Sequence, residues 1–165
     1  MYFKYLKYLL KHKFYVGKEC FKIGLFYRGL IHDLSKFTLS EFIPYAKHFH
    51  GPKSYKDSAK RDKTGYYKPT NTGDPDFDLA WLFHKNRNKH HWQYWIIPEL
   101  EENEKQVAIE IPEIYIKEMV CDWLGAAQAQ GKERKSVLNW WKENKHKMIF
   151  HSNSYCKIEE MLKNI

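Results

Sequence analysis

The chain has 165 residues, with 28 Lys and Arg against 20 Asp and Glu, a formal charge of +8 before its nine histidines are counted. That length predicts one domain over residues 1–165, and apolar and aromatic contents of 43% and 17% exclude a disordered chain, which buries too little apolar surface to offset its entropy. The basic surplus points to an anionic partner (nucleic acid, nucleotide or membrane surface) and does not bear on the fold.

Over residues 2–15, Tyr5, Leu9 and the 8–10 group recur at helical spacing between Lys4, Lys7 and Lys11, predicting a first helix that ends near Gly17. A second, central and largely buried helix is expected over 18–31 from Cys20, Ile23, Gly24, Phe26, Tyr27, Leu30 and Ile31. Thr38 or Ser40 with Glu41 gives a capping signal for a third helix to about Phe49, despite Pro44. Residues 51–76, with Lys53, Lys56, Lys60, Arg61, Lys63 and Lys68, read as a long basic loop, either a lid or phosphate-attracting arm or a solvated excursion.

Asp76 or Asp78 can cap a helix carrying Leu79, Trp81, Leu82 and Phe83 and running towards His90-His91-Trp92, with Pro98 ending that region. A polar connection over 99–110 leads to Pro112, which suits the first position of a helix containing Ile116, Met119, Val120, Trp123, Leu124 and Ala127, stopped by Gly131. Helices over 136–150 and 154–164 close the chain. No strand alternation stands out, so the expected class is all-α, a compact helical bundle.

Cys20, Cys121 and Cys156 are odd in number and form no CxxC pair, which excludes a secreted disulfide framework and a zinc ribbon and points to a reducing cytoplasm. Uncharged runs such as 92–98 fall far short of the roughly 20 apolar residues of a membrane span. Lysines interrupt the N-terminal apolar residues, which leaves no signal-peptide core. Neither a membrane span nor a membrane partner is expected; Lys4, Lys7, Lys11 and Lys13 could bind membrane or nucleic acid, and read more readily as a solvated helix face.

GxGxxG, HExxH and GxSxG are missing, and Gly24-Leu-Phe-Tyr-Arg-Gly29 lacks the Lys-Ser/Thr of a phosphate loop. The histidines carry the chemistry. His32-Asp33 ends an apolar helix, a costly place for two polar groups unless they are paired or bind metal. Alone, they read as a C-terminal histidine and an N-cap. With His12 upstream and Asp122 inside the apolar run Glu118-Met-Val-Cys-Asp122-Trp, the chain resembles the HD-domain superfamily of metal-dependent phosphohydrolases, whose pattern is a His, an adjacent His-Asp pair and a distant Asp. The resemblance implies His12, His32, Asp33 and Asp122 as ligands of one ion and a helical bundle as the fold. His84 and His91, seven apart, share a face if their helix is continuous, which turns His90 elsewhere. Two-metal HD proteins look similar, with added histidines that often include a pair such as His90-His91; either of the two can be the ligand.

His32-Asp-Leu-Ser-Lys36 is similar to the His-Asp-x-Gly-Lys segment of cyclic-dinucleotide phosphodiesterases, whose lysine contacts phosphate. Ser35 replaces that glycine and no Gly-Tyr-Pro follows the histidine pair, so that particular substrate is not implied. More narrowly the chain resembles an uncharacterised group of small HD-like phage and bacterial proteins, including Glu41-Phe-Ile-Pro-Tyr and Asn88-Lys-His-His-Trp-Gln-Tyr-Trp. Imidazole with carboxylate suits one or two ions of Fe, Mn, Zn, Co or Ni.

The reading is therefore a cytoplasmic hydrolase of a nucleotide or small phosphoester, cyclic nucleotides included, with Asp33 bridging and catalytic. Lys36, Arg28 and Ser35 are set against substrate, and His90 or Ser35 is available to orient substrate or move a proton. The alternatives are an HD-fold di-iron oxygenase and a nucleic-acid-binding or inhibitory protein with a structural metal. His48, His50, His146 and His151 read as surface residues, with His48 or His50 a lesser choice for a second metal, and the tryptophans read as packing.

Overall fold

The computed structural model describes residues 1–52, 61–67, 71–98 and 105–165. Within them the fold is all-α, with seven helices: α1 (Tyr2–Lys22), α2 (Phe26–Ile31), α3 (Leu39–His50), α4 (Pro75–Arg87), α5 (Glu113–Ala129), α6 (Ser136–Asn144) and α7 (Ser152–Lys163). The expected strandless chain needs one small correction: Ile96 and Ile97 pair antiparallel with Ala108 and Val107.

α1 buries Tyr5, Leu9, His12, Val16 and Cys20, a stripe at three- and four-residue spacing, and lies along α5. The two helices touch at Gly125, where an added Cβ would come 2.5 Å from Val16 Cγ2 and 2.6 Å from Val16 N. Because Val16 follows His12 by one turn and Gly125 follows Asp122 by nearly one, this contact sets the distance between those two side chains. Met119, Val120, Leu124, Val137, Trp141, Ile158 and Leu162 form the main core under α5, α6 and α7. A second cluster, Tyr5, Leu9, Tyr45, Ala46, Phe77 and Ala80, joins α1, α3 and α4. Trp92, Trp95, Trp123 and Trp140 pack partly buried against the main core, which Trp141 enters.

Several element boundaries differ from expectation. α1 runs through buried Gly17 and ends at Lys22; the break comes at Gly24, whose φ of +76° is a backbone state that L side chains rarely adopt. The predicted second helix therefore divides, and its outer part, α2, is not largely buried: Phe26, Tyr27 and Leu30 are exposed. Asp74, not Asp76 or Asp78, caps α4 by accepting from Phe77 N, with Pro75 at the first helical position. α4 stops at Arg87, so His90 and His91 lie in the following turn and not on the helix. Pro112 is the N-cap of α5 and not its first residue, α6 ends at Asn144, and α7 starts at Ser152. Of the predicted basic loop, 53–60 and 68–70 lie outside the described residues, as do 99–104 of the polar connection.

Candidate metal centre

Four elements bring the site together: α1 supplies His12, the turn after α2 supplies His32 and Asp33, α4 and the turn after it supply His84, His90 and His91, and α5 supplies Glu118 and Asp122. Asp33 has a φ of 54°, a left-handed state in which Asp and Asn are enriched; it stands at the N-cap position of the short 3-10 turn Leu34–Phe37, but its side chain makes no capping bond there. That backbone state turns the carboxylate inward, where it is 2% exposed.

The two oxygens of Asp33 face different groups. Oδ2 lies 3.4 Å from both His12 Nε2 and His32 Nε2, while Oδ1 lies 3.4 Å from both His84 Nε2 and His90 Nε2. Asp122 Oδ1 completes the first group, at 3.2 Å from His12 Nε2 and 3.4 Å from His32 Nε2. His91 completes the second, its Nε2 2.8 Å from His84 Nε2. Two sets of potential metal ligands result, His12, His32, Asp33 and Asp122, and Asp33, His84, His90 and His91, with Asp33 in both. A third grouping, His32, His90 and Glu118, overlaps both. Nitrogen and oxygen ligands about 2.1 Å from one ion sit roughly 3 to 3.4 Å from their neighbours, so these separations fit the edges of a coordination polyhedron.

The hydrogen-bonding pattern fits a metal as well. Both nitrogens of His12, Nε2 of His32 and of His90, and Asp33 Oδ1 are buried without a hydrogen-bond partner. Such atoms are costly to bury unless an ion satisfies them. The opposite ring nitrogens are held by carboxylates: Glu118 Oε1 is 3.0 Å from His32 Nδ1 and 3.4 Å from His90 Nδ1, and Glu41 Oε2 is 2.8 Å from His84 Nδ1. A carboxylate behind each of these three imidazoles, His32, His84 and His90, favours the tautomer that presents Nε2.

Electrostatics follow the same division. Burial works against charge on His32, yet Asp33, Asp122 and Glu118 outweigh it and raise the imidazole to about 10. Burial also opposes the ionised forms of Asp33 and Asp122, but His32 and their other cationic or hydrogen-bonding neighbours hold both well below the usual carboxylate range. Burial keeps His84 and His91 neutral, as metal ligands must be. The negative field around His32 that retains a proton equally favours a metal cation.

Two of the residues set against substrate face elsewhere. Arg28 Nε donates to Glu118 Oε2 at 2.6 Å, and its guanidinium lies over the Tyr115 ring, so its charge is spent on a buried carboxylate. Ser35 Oγ donates to Glu41 Oε2 at 2.8 Å and receives Asn88 Nδ2, which places it behind His84. Lys36 does adjoin the centre, with Nζ 2.6 Å from Asp33 Oδ2. His48, expected at the surface, is fully buried between Asp74 and Tyr67, 2.9 Å from Asp74 Oδ2, and belongs to neither ligand set. Glu118 and Glu41 were not singled out as site residues. Glu118 carried a readable signal, an acidic side chain in an apolar run four residues before Asp122 and so on the same helical face.

A cavity of about 440 Å³ has His90, His91 and Asp122 in its wall together with Arg61, Lys132, Trp92 and Trp123. A second, of about 360 Å³, has His12 and Lys36 in its wall and shares Arg61, Tyr45, Phe49 and Gln130 with the first.

Fold and site define an all-α protein with buried histidine and carboxylate clusters that could hold metal. The chain belongs to a family of unknown function, DUF5662, whose model matches residues 1–164. No curated protein and no solved structure matches it.

Proposed function

We propose that this chain is a metal-dependent phosphohydrolase of the HD type, acting on a nucleotide or another small phosphoester, cyclic nucleotides included. The observation that supports this reading is the division of Asp33, with one carboxylate oxygen towards His12 and His32 and the other towards His84 and His90. Two divalent ions so held would lower the pKa of bound water towards about 7 and steady the attacking and leaving oxygens of a displacement at phosphorus.

The protein's own residues do the rest. Glu118 and Glu41 keep Nε2 of three histidines aimed inward, and Arg28 and Arg87 neutralise those two carboxylates from behind. Lys36 balances the charge of Asp33 and stands where a phosphate oxygen could share its ammonium. Arg61 and Lys132 add positive charge to the cavity wall, and Trp92 and Trp123 offer apolar faces for a base. Nitrogen and oxygen ligands without thiolate suit Fe, Mn, Zn, Co or Ni. The free Cys20, Cys121 and Cys156 agree with a reducing cytoplasm.

The test is phosphate release from a panel of nucleoside monophosphates and cyclic nucleotides by the metal-loaded protein. Activity should appear with a divalent transition metal, persist without oxygen and fall at least about a hundredfold in Asp33→Asn. Turnover that requires oxygen would point to an oxygenase. Salt-sensitive nucleic-acid binding untouched by His32→Ala, with no hydrolysis, would point to a binding protein.

A further inference from the structure

We propose that the outer face of α1 and α2 seats this protein on an anionic lipid surface. On the side of α1 opposite its buried stripe, Phe3, Leu10, Phe14 and Phe21 recur at seven, four and seven residues and form one line of exposed apolar side chains, with Phe3 78% and Phe14 66% accessible. The ring of Phe21 meets that of Phe26 edge-on at 5.4 Å, which continues the line onto α2, where Tyr27 is 70% and Leu30 62% accessible. The two helices come this close because residue 29 is glycine: a Cβ there would lie 2.9 Å from the Phe21 ring. Scattered exposed apolar residues are ordinary, but a continuous line of large ones marks a surface that meets something else.

Charge identifies the occupant. Lys7 and Lys18 lie within the line, and Lys4, Lys11 and Lys22 run along one edge, all exposed. Glu19 is the one acidic residue of α1 and α2, and it is buried, bonded to Lys22, Gln128 and Arg134. A second copy docked on this face would set lysine against lysine with no carboxylate between them, whereas an anionic bilayer accepts the phenyl rings at its acyl boundary and the ammonium groups among its headgroups. No helix among the described residues is long and apolar enough to cross a membrane, so the face would lie on the bilayer. His12 sits on the opposite side of α1, so seating leaves the metal-binding residues out of the contact.

The experiment is co-sedimentation of the full chain with vesicles of phosphatidylcholine alone and of phosphatidylcholine mixed equally with phosphatidylglycerol. Binding should require the anionic lipid, weaken with added salt, and fall by about tenfold or more in Phe3→Ser/Phe14→Ser. Lys7→Glu/Lys18→Glu, which leaves the apolar residues in place, should lose binding as well, and it serves as the reading if the serine variant does not fold. Metal content should be unchanged in either variant, which separates this result from the fate of the hydrolase reading. Failure to bind anionic vesicles, equal binding to neutral ones, or a dimer in light scattering that the same substitutions dissociate would overturn the proposal.

Discussion

Asp33 and Glu118 divide the work of the centre between them. Asp33 offers one oxygen to each histidine group, and Glu118 reaches an imidazole in each, His32 at 3.0 Å and His90 at 3.4 Å. Replacing Glu118 by Gln keeps the shape and removes the charge that holds both rings in one tautomer. Affinity for a divalent transition metal should therefore fall about 10–100-fold in a chelator competition, while the far-ultraviolet spectrum stays unchanged. Arg28→Ala should cost more in stability than in chemistry, about 1–3 kcal/mol by denaturant titration, because it removes a charged hydrogen-bond partner of buried Glu118 and leaves it with His32 and His90.

Among the elements, the contact between α1 and α5 decides where His12 and Asp122 meet. Gly125→Ala pushes a methyl group against the Val16 backbone and should cost about 1–3 kcal/mol in denaturant unfolding, and it should lower metal affinity through a substitution that touches no ligand. Glu19 closes the same interface. Its carboxyl opposes burial with hydrogen bonds from Lys22, Gln128 and Arg134 and is held below its ordinary 4.5. A depressed carboxyl stabilises the fold above its unfolded pKa and loses that contribution as pH falls. The Tm of Glu19→Gln should therefore lie below that of the native chain at neutral pH, with the gap closing towards about pH 3.

This scale also shows what a sequence reveals and what it hides. The buried stripe of α1 and the Asp122 face of α5 are readable because a packed helix repeats every 3.6 residues. Gly17 misled because a glycine reads as a stop wherever it falls, and only Gly24 takes the left-handed backbone that ends the helix. A helix drawn on to His90 and His91 runs about one turn past the end of α4; the two histidines reach Asp33 and His84 through a turn, and a turn has no period to read. Arg28 and Ser35 read as substrate contacts because they flank His32-Asp33 in the sequence, and the buried carboxylates that claim them lie 90 and 6 residues away in the chain.

For the whole molecule, metal binding and stability are one quantity. The ligands come from α1, α4, α5 and the turns after α2 and α4, so an ion gathered by them ties the two apolar clusters together. Free metal at a hundredfold over its dissociation constant should add about 2.7 kcal/mol, or roughly 5–11 °C in Tm for a chain of this size, by scanning calorimetry with and without chelator. His84→Ala should reduce that rise. Under the two proposals the +8 charge would serve twice, on the lysine-rich outer face towards lipid and at the cavities towards phosphate.

The most direct test is the metal content of the full chain, purified under metal-replete conditions, beside that of Asp33→Asn, a substitution that tolerates the left-handed backbone while removing the shared charge. About two transition-metal ions per chain are expected in the native protein and no more than about one in the variant. Fewer than about one ion in the native protein, or equal content in the two, would contradict a two-ion centre.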